Sequence, residues 1–291
     1  MSRRTAEDGP AAATTEPRWL RRMLIGIALA FLGIFLLVPL GAVFVFAFRA
    51  GVGAWFAALL QPDTVHAIQL TLFVAVVVIP VNVVFGVAAA WLLARFSFPG
   101  KGLLLSVVDL PFSVSPIVAG LLFVLLFGRG GVFGALLEAH GLRLIYAVPG
   151  IVLTTWFVTL PFVARELLPV LQAQGCAEEE AAYTLGAGAW RTFFVVTLPK
   201  VRWALCYGVV LSNARALGEF GAVSVVSGHI RGVTSTMPLQ AEILYNQYDF
   251  VGCWSVASAL TLFALITLVI KKVAEHHCER PRLRRSERQH P

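Results

Sequence analysis

Long runs of Leu, Val, Ile, Phe and Ala, separated by short polar stretches, dominate the chain. Six runs, near residues 23–48, 66–94, 103–127, 145–168, 201–227 and 252–271, are long enough to cross a hydrocarbon core, which takes about 20 residues of helix. They are continuously apolar rather than alternating, so they predict α-helices and not the strands of a membrane barrel. The fold class expected is an all-α membrane protein with about six transmembrane helices. Residues 1–22, with Pro10, Pro17 and five Arg, predict a disordered lead. A transmembrane domain follows over 23–272, and 273–291 read as a basic tail.

One polar stretch interrupts this pattern, at about 176–199. Glu178, Glu179 and Glu180 open a short helix, where the positive end of the helix dipole favours carboxylates. Gly186 and Gly188 break it, since glycine reaches the backbone conformations of a sharp turn. A second helix carries Trp190, Phe193, Phe194 and Val196, and Pro199 stands where the next helix begins, a place where its missing N–H is harmless. The pattern predicts a helix-turn-helix outside the bilayer.

Composition agrees. A chain of 291 residues that is 58% hydrophobic and 13% charged lacks the polar residues to cover a soluble surface. Its formal charge of +7 raises the question of nucleic acid, but the basic residues lie beside the apolar runs, which fits membrane orientation and excludes a nucleic-acid partner. With the N-terminus inside, eighteen of the 23 Lys and Arg fall on the cytoplasmic side and four on the other, with Arg215 inside a span. Both termini and the polar insert are therefore expected in the cytoplasm. The tail is expected to meet anionic lipid headgroups or nothing in particular. Cys176, Cys206, Cys253 and Cys278 have no spacing that implies a disulfide framework, and His276-His277-Cys278 reads as a solvated tail, with no metal site. No G-x-x-x-x-G-K-[ST] motif occurs, since Gly100-Lys101 is followed by Gly102. The chain is expected to be no enzyme and to hold no nucleotide.

Several spans contain residues that hydrocarbon does not favour. Pro80 and Asn82 read either as a pliable kink lining a path or as a proline bend satisfied by neighbouring helices. The stretch Asp109-Leu110-Pro111-Phe112-Ser113-Val114-Ser115-Pro116 opens the backbone and supplies hydroxyls, which suits a pathway element or a structural kink. Arg165-Glu166 anchors a helix end at the cytoplasmic border. Within Ser212–Gly221, Arg215 and Glu219 stand four residues apart, on one face of a helix, and an Arg at the centre of a span costs about 2.5 to 3.5 kcal/mol on insertion scales. They read as a buried ion pair that fixes packing or as a gate whose Arg meets an anion, with Asn213 beside it. Gly208, Ser212, Arg215, Glu219 and Ala222 form a small and polar stripe. The outer loop 228–238 is rich in hydroxyls and carries His229 and Arg231, which attract an anion or a binding protein unless the loop is a flexible connector.

The spacing Glu180-Ala181-Ala182, Gly186, Leu198-Pro199 resembles the cytoplasmic EAA loop of ATP-binding-cassette importer permeases, with Val196 where isoleucine is usual. The stretches 109–120, 212–231 and 238–248 look like the sulfate/thiosulfate importer permeases of the CysW type, over roughly residues 65–272. That resemblance implies a type I, MetI-like permease architecture. It implies that Glu180, Ala181, Ala182, Gly186, Leu198 and Pro199 couple to a separate ATPase. Ser113, Ser115, Asn213, Arg215 and Glu219 are then candidates for the translocation path, and His229 and Arg231 for the outer face. The implied partners are a CysT-type permease forming a heterodimer, a cytoplasmic ATPase dimer that holds ATP and Mg, and a periplasmic sulfate- or thiosulfate-binding protein. Molybdate or tungstate is the alternative cargo. A proton-coupled secondary anion carrier, with Asp109 and Glu219 as proton sites, is the alternative class, against which the polar insert argues.

Overall fold

A computed structural model describes residues 18–286. The leading residues 1–17 and the last residues 287–291 lie outside that range, as do the side chains of the His276-His277-Cys278 stretch. Two compact units divide at Phe46 and Ala47. The first carries α1 (Arg18–Leu32), a π-helical turn (Gly33–Leu37) and most of α2 (Val38–Phe48). The turn has a cause in the sequence. Pro39 lacks an N–H and its ring would crowd the carbonyl four residues back, and a widened turn just before it relieves that contact.

The second unit opens with α3 (Val52–Leu59), α4 (Pro62–Arg95), α5 (Lys101–Ser113), α6 (Pro116–Phe127), α7 (Gly134–Ala139) and α8 (Val148–Gln174). It continues through α9 (Ala177–Thr184), α10 (Ala189–Thr192), a second π-helical turn (Phe193–Thr197), α11 (Leu198–Leu217), α12 (Gly221–Ser227), α13 (Met237–Asn246) and α14 (Phe250–Ser286). The second π turn again precedes a proline, Pro199, by the same steric logic. As a result no gap separates the insert from the membrane helix: residues Ala189–Leu217 run as one helical rod.

Helices α4, α8 and α11 form the centre of this unit. Ala90, Val163, Leu167, Leu171 and Val201 are buried together at one end. Leu70, Val74, Val78, Ile151, Val223 and Leu239 are buried together elsewhere along it. Where α8 and α11 cross, Gly208 lies so close that a Cβ there would sit 3.0 Å from Val163 Cα. Deep in this centre Asn82 is fully buried. Its Nδ2 donates to Thr159 Oγ1 of α8 at 2.7 Å and to Ser212 Oγ of α11 at 2.9 Å. Asn82 is thus bonded to both neighbouring helices through Nδ2 while its Oδ1 has no partner, and α4 continues through Pro80.

Five helices among the described residues are long and apolar enough to cross a membrane, and a sixth crossing exists if one bent pair counts as a span. That pair corrects the expected span at 103–127: α5 and α6 meet at 110°. The cause is Pro116, which biases Ser115 out of the helical region, and Ser115 is extended with ψ 135°. The expected span at 201–227 is corrected as well. Its helix ends at Leu217, Gly218 caps it, and α12 starts anew at Gly221.

Candidate coupling insert and translocation path

The insert begins at α9, whose first turn carries the three glutamates. It ends as glycine chemistry predicts. Gly186 has φ +82°, its N–H donates to the Tyr183 carbonyl at 2.9 Å, and the Ala187 N–H donates to the Ala182 carbonyl at 3.0 Å. This pair of reversed bonds closes a helix end around a left-handed residue. Gly188 has an ordinary extended backbone and caps α10 instead. Glu180, Ala181 and Gly186 are exposed, Ala182 and Leu198 half-buried, and Pro199 exposed. Beside them Leu185 is 88% exposed and Trp190 77%, and Trp190 stacks on the exposed Phe194. Exposed apolar runs of this kind occur at protein–protein and membrane contacts.

The glutamate that the fold uses is Glu179, not Glu180. Glu179 is buried, accepts from Arg95 Nη2 at 3.0 Å and from Thr197 Oγ1 at 2.7 Å. Arg95, Glu179 and Thr197 are not among the candidate site residues read from the sequence, where Glu179 counts only as one of three helix-opening glutamates. A buried carboxylate in a run of three leaves no mark in one dimension, although Arg95 at the end of an apolar run was a signal that orientation counting absorbed.

The two interrupted spans meet. A Cβ on Gly221 would lie 3.0 Å from Pro116 Cβ, and one on Gly120 would lie 2.8 Å from the Ala222 carbonyl oxygen, so α12 is pressed against α6 with the breaks side by side. Ser113 and Ser115 are exposed at one break. At the other, Arg215 Nη1 stands 2.5 Å from Glu219 Oε2, with side-chain exposures of 31% and 1%. Glu219 Oε1 also accepts the Ala222 N–H at 2.9 Å and so caps α12. Asn213 is half-buried. The stripe on α11 therefore divides: Gly208 and Ser212 face neighbouring helices, while the Arg215 side chain stays partly exposed. Asp109 pairs with Arg165 at 3.0 Å across α5 and α8, and since α8 runs on to Gln174, Arg165 joins two helices instead of anchoring the end of its own.

In the loop 228–238 the hydroxyls of Thr234 and Ser235 bond to nearby carbonyls, while the buried Thr236 Oγ1 has no partner. Thr234 Oγ1 donates to the Ser227 carbonyl at 2.7 Å and accepts the Ile230 N–H at 3.1 Å. His229 and Arg231 remain at the surface. His229 Nε2 lies 3.2 Å from Glu242 Oε2, and the Arg231 guanidinium faces the side-chain oxygen of Gln247.

Residues 82–278 match the family model described as binding-protein-dependent transport system inner membrane component. The chain belongs to this family. This transport component is 50% identical over 272 residues to the sulfate transport system permease protein CysW of Escherichia coli (strain K12), covering 94% of each chain. It is 36% identical to the sulfate transport system permease protein CysT of the same strain, over 84% of this chain and 88% of that one. Among solved structures, one chain of a bacterial alginate ABC transporter in complex with an alginate pentasaccharide-bound periplasmic protein superposes with a TM-score of 0.73 at 19% identity, over 90% of this chain and 94% of that chain. That likeness concerns the fold, and it places the inner membrane component in the all-α permease architecture expected above.

Proposed function

We propose that the chain is the membrane permease of an ATP-driven importer for sulfate or thiosulfate, working with a second, CysT-type permease, two copies of a separate ATPase and a periplasmic binding protein. Both termini and the insert at about 176–199 are cytoplasmic in this reading, ATP and Mg stay on the ATPase, and lipid surrounds the spans. The cargo rests on the two sulfate permeases to which the chain is similar. The observation that carries the mechanism is the insert itself: a tightly turned pair of helices with Leu185 and Trp190 bare to solvent, continuous with α11. A neighbour that closes on nucleotide pushes such a lever and moves the membrane helices with it.

A dianion gives up tightly held water on entering a membrane path, so donors must replace that water without binding too firmly for release. Ser113 and Ser115 supply hydroxyls, and Asn213 stands two residues before Arg215. Arg215 supplies one cation already shared with Glu219, which keeps the path from becoming a trap. At the outer face His229 and Arg231 greet the loaded binding protein. The test is uptake of labelled sulfate by proteoliposomes holding the full assembly, with molybdate as competitor. ATP-dependent uptake that excess sulfate blocks and equimolar molybdate does not is the expected result. Preference for molybdate overturns the cargo, and uptake driven by a pH gradient without ATP overturns the class.

A further inference from the structure

We propose that Arg95 and Glu179 are the positioning pair that makes the insert and the central membrane helices move as one body; this rests on the coupling reading above. Arg95 ends α4. Its Nε lies 2.9 Å from Glu179 Oε2, its Nη2 donates to Oε1 at 3.0 Å, and its Nη1 donates to the Leu171 carbonyl at 2.9 Å. Leu171 is among the last four residues of α8, whose carbonyls have no partner in their own helix. One guanidinium therefore joins the ends of α4 and α8 to α9. Glu179 in turn accepts from Thr197 in the π turn that leads into α11. Three central helices and the insert meet at a single ion pair.

Burial distinguishes this pair from the others near the insert. Its side chains are 8% and 11% exposed, whereas Glu178, paired with Lys200 at 2.7 Å, is 65% exposed. An exposed pair is screened and holds its partners weakly. A desolvated fork-to-carboxylate pair with further hydrogen bonds fixes angle as well as distance.

The need for such a pin follows from the ends of α9. Gly175 before it and Gly186 after it both have positive φ, +64° and +82°, so the backbone turns sharply at each end and no continuous helix carries a push from α9 into α8 or α10. Trp190 stands on the rod continuous with α11, so a push there reaches α11 directly, but a push on Leu185 would rotate an unpinned α9 about these two points and leave α4 and α8 behind. With Glu179 held, the same push is delivered to all three.

The test has two arms. In the full-length chain in lipid nanodiscs, Glu179→Gln raises amide hydrogen exchange over residues 177–185 about tenfold. In the complete assembly in proteoliposomes, the same change raises the ATP hydrolysed per labelled sulfate ion imported about tenfold, within the usual range of coupling between sites. The charge-reversed double variant, Arg95→Glu with Glu179→Arg, restores at least half of each effect. Unchanged exchange with an unchanged ratio overturns the proposal. Equal loss of hydrolysis and uptake, with the ratio preserved, overturns it too, since that marks a merely structural contact. Should Glu179→Gln fail to insert, Thr197→Val removes one bond to the carboxylate and is read in the same two ways, with a rise of about threefold. If the wild-type assembly imports no sulfate while exchange responds as expected, the cargo reading fails and the pin stands.

Discussion

Asn82 Nδ2 on α4 donates to Ser212 Oγ on α11 at 2.9 Å, joining residues 130 positions apart in the chain. The same group bonds Thr159 on α8. Between helices in lipid there is little hydrophobic driving force, so close packing and such polar contacts hold the bundle. Asn82→Ala removes two bonds from the centre of α4, α8 and α11. It is expected to lower stability by about 1 kcal/mol while leaving insertion intact, read as a lower midpoint in thermal denaturation of the detergent-purified chain. An unshifted midpoint would sink this account.

Gly120 predicts a steric effect. A Cβ there would meet the Ala222 carbonyl oxygen at 2.8 Å and Ala222 Cα at 3.1 Å. These are backbone atoms that cannot swing aside, so Gly120→Ala forces α6 and α12 apart and costs about 1–3 kcal/mol. Gly102, in α5, has nothing within 4 Å of its would-be Cβ, and Gly102→Ala serves as the control with an unchanged or slightly raised midpoint. Equal behaviour of the two variants would show that the breaks do not pack as described.

At Gly186 the constraint is conformational rather than steric, because its φ is +82° with open space around it. A β-branched residue there costs about 1–2 kcal/mol locally, enough to unmake the turn of the insert. Gly186→Val is expected to insert normally and lose ATP-driven uptake, whereas Gly186→Asn, which tolerates the left-handed region, retains most of it. Uptake by the Val variant at the wild-type rate argues against the coupling role.

Arg215 and Glu219 separate into different roles. Glu219→Ala unpairs Arg215 and bares the Ala222 N–H in a buried place, so stability should fall by about 3 kcal/mol. Arg215→Lys keeps a cation beside Glu219 and should hold the midpoint within about 1 kcal/mol, yet it loses the planar fork that arranges anion donors, and uptake should fall about tenfold. Normal transport by the Lys variant, measured with labelled sulfate, would remove Arg215 from the path.

Runs of apolar residues are a local property, and local properties were readable. The all-α class, the existence of the long helices, the carboxylate-rich start of α9, the turn at Gly186 and the place of Pro199 all follow from what each residue's own backbone and nearest neighbours permit. Even the break at Ser115 was signalled, since Pro116 acts on the residue before it, though its 110° bend was not. The end of α11 at Leu217 was hidden, because apolar residues resume at Phe220 and run on to Val226 and the new start at Gly221 depends on a cap from Glu219. The partners of Asn82, the division of the α11 stripe and the buried carboxylate at Glu179 needed the fold. Arg95 and Glu179 are 84 positions apart, and only where chain segments converge does burial raise the worth of a charge pair above that of the exposed glutamates on either side.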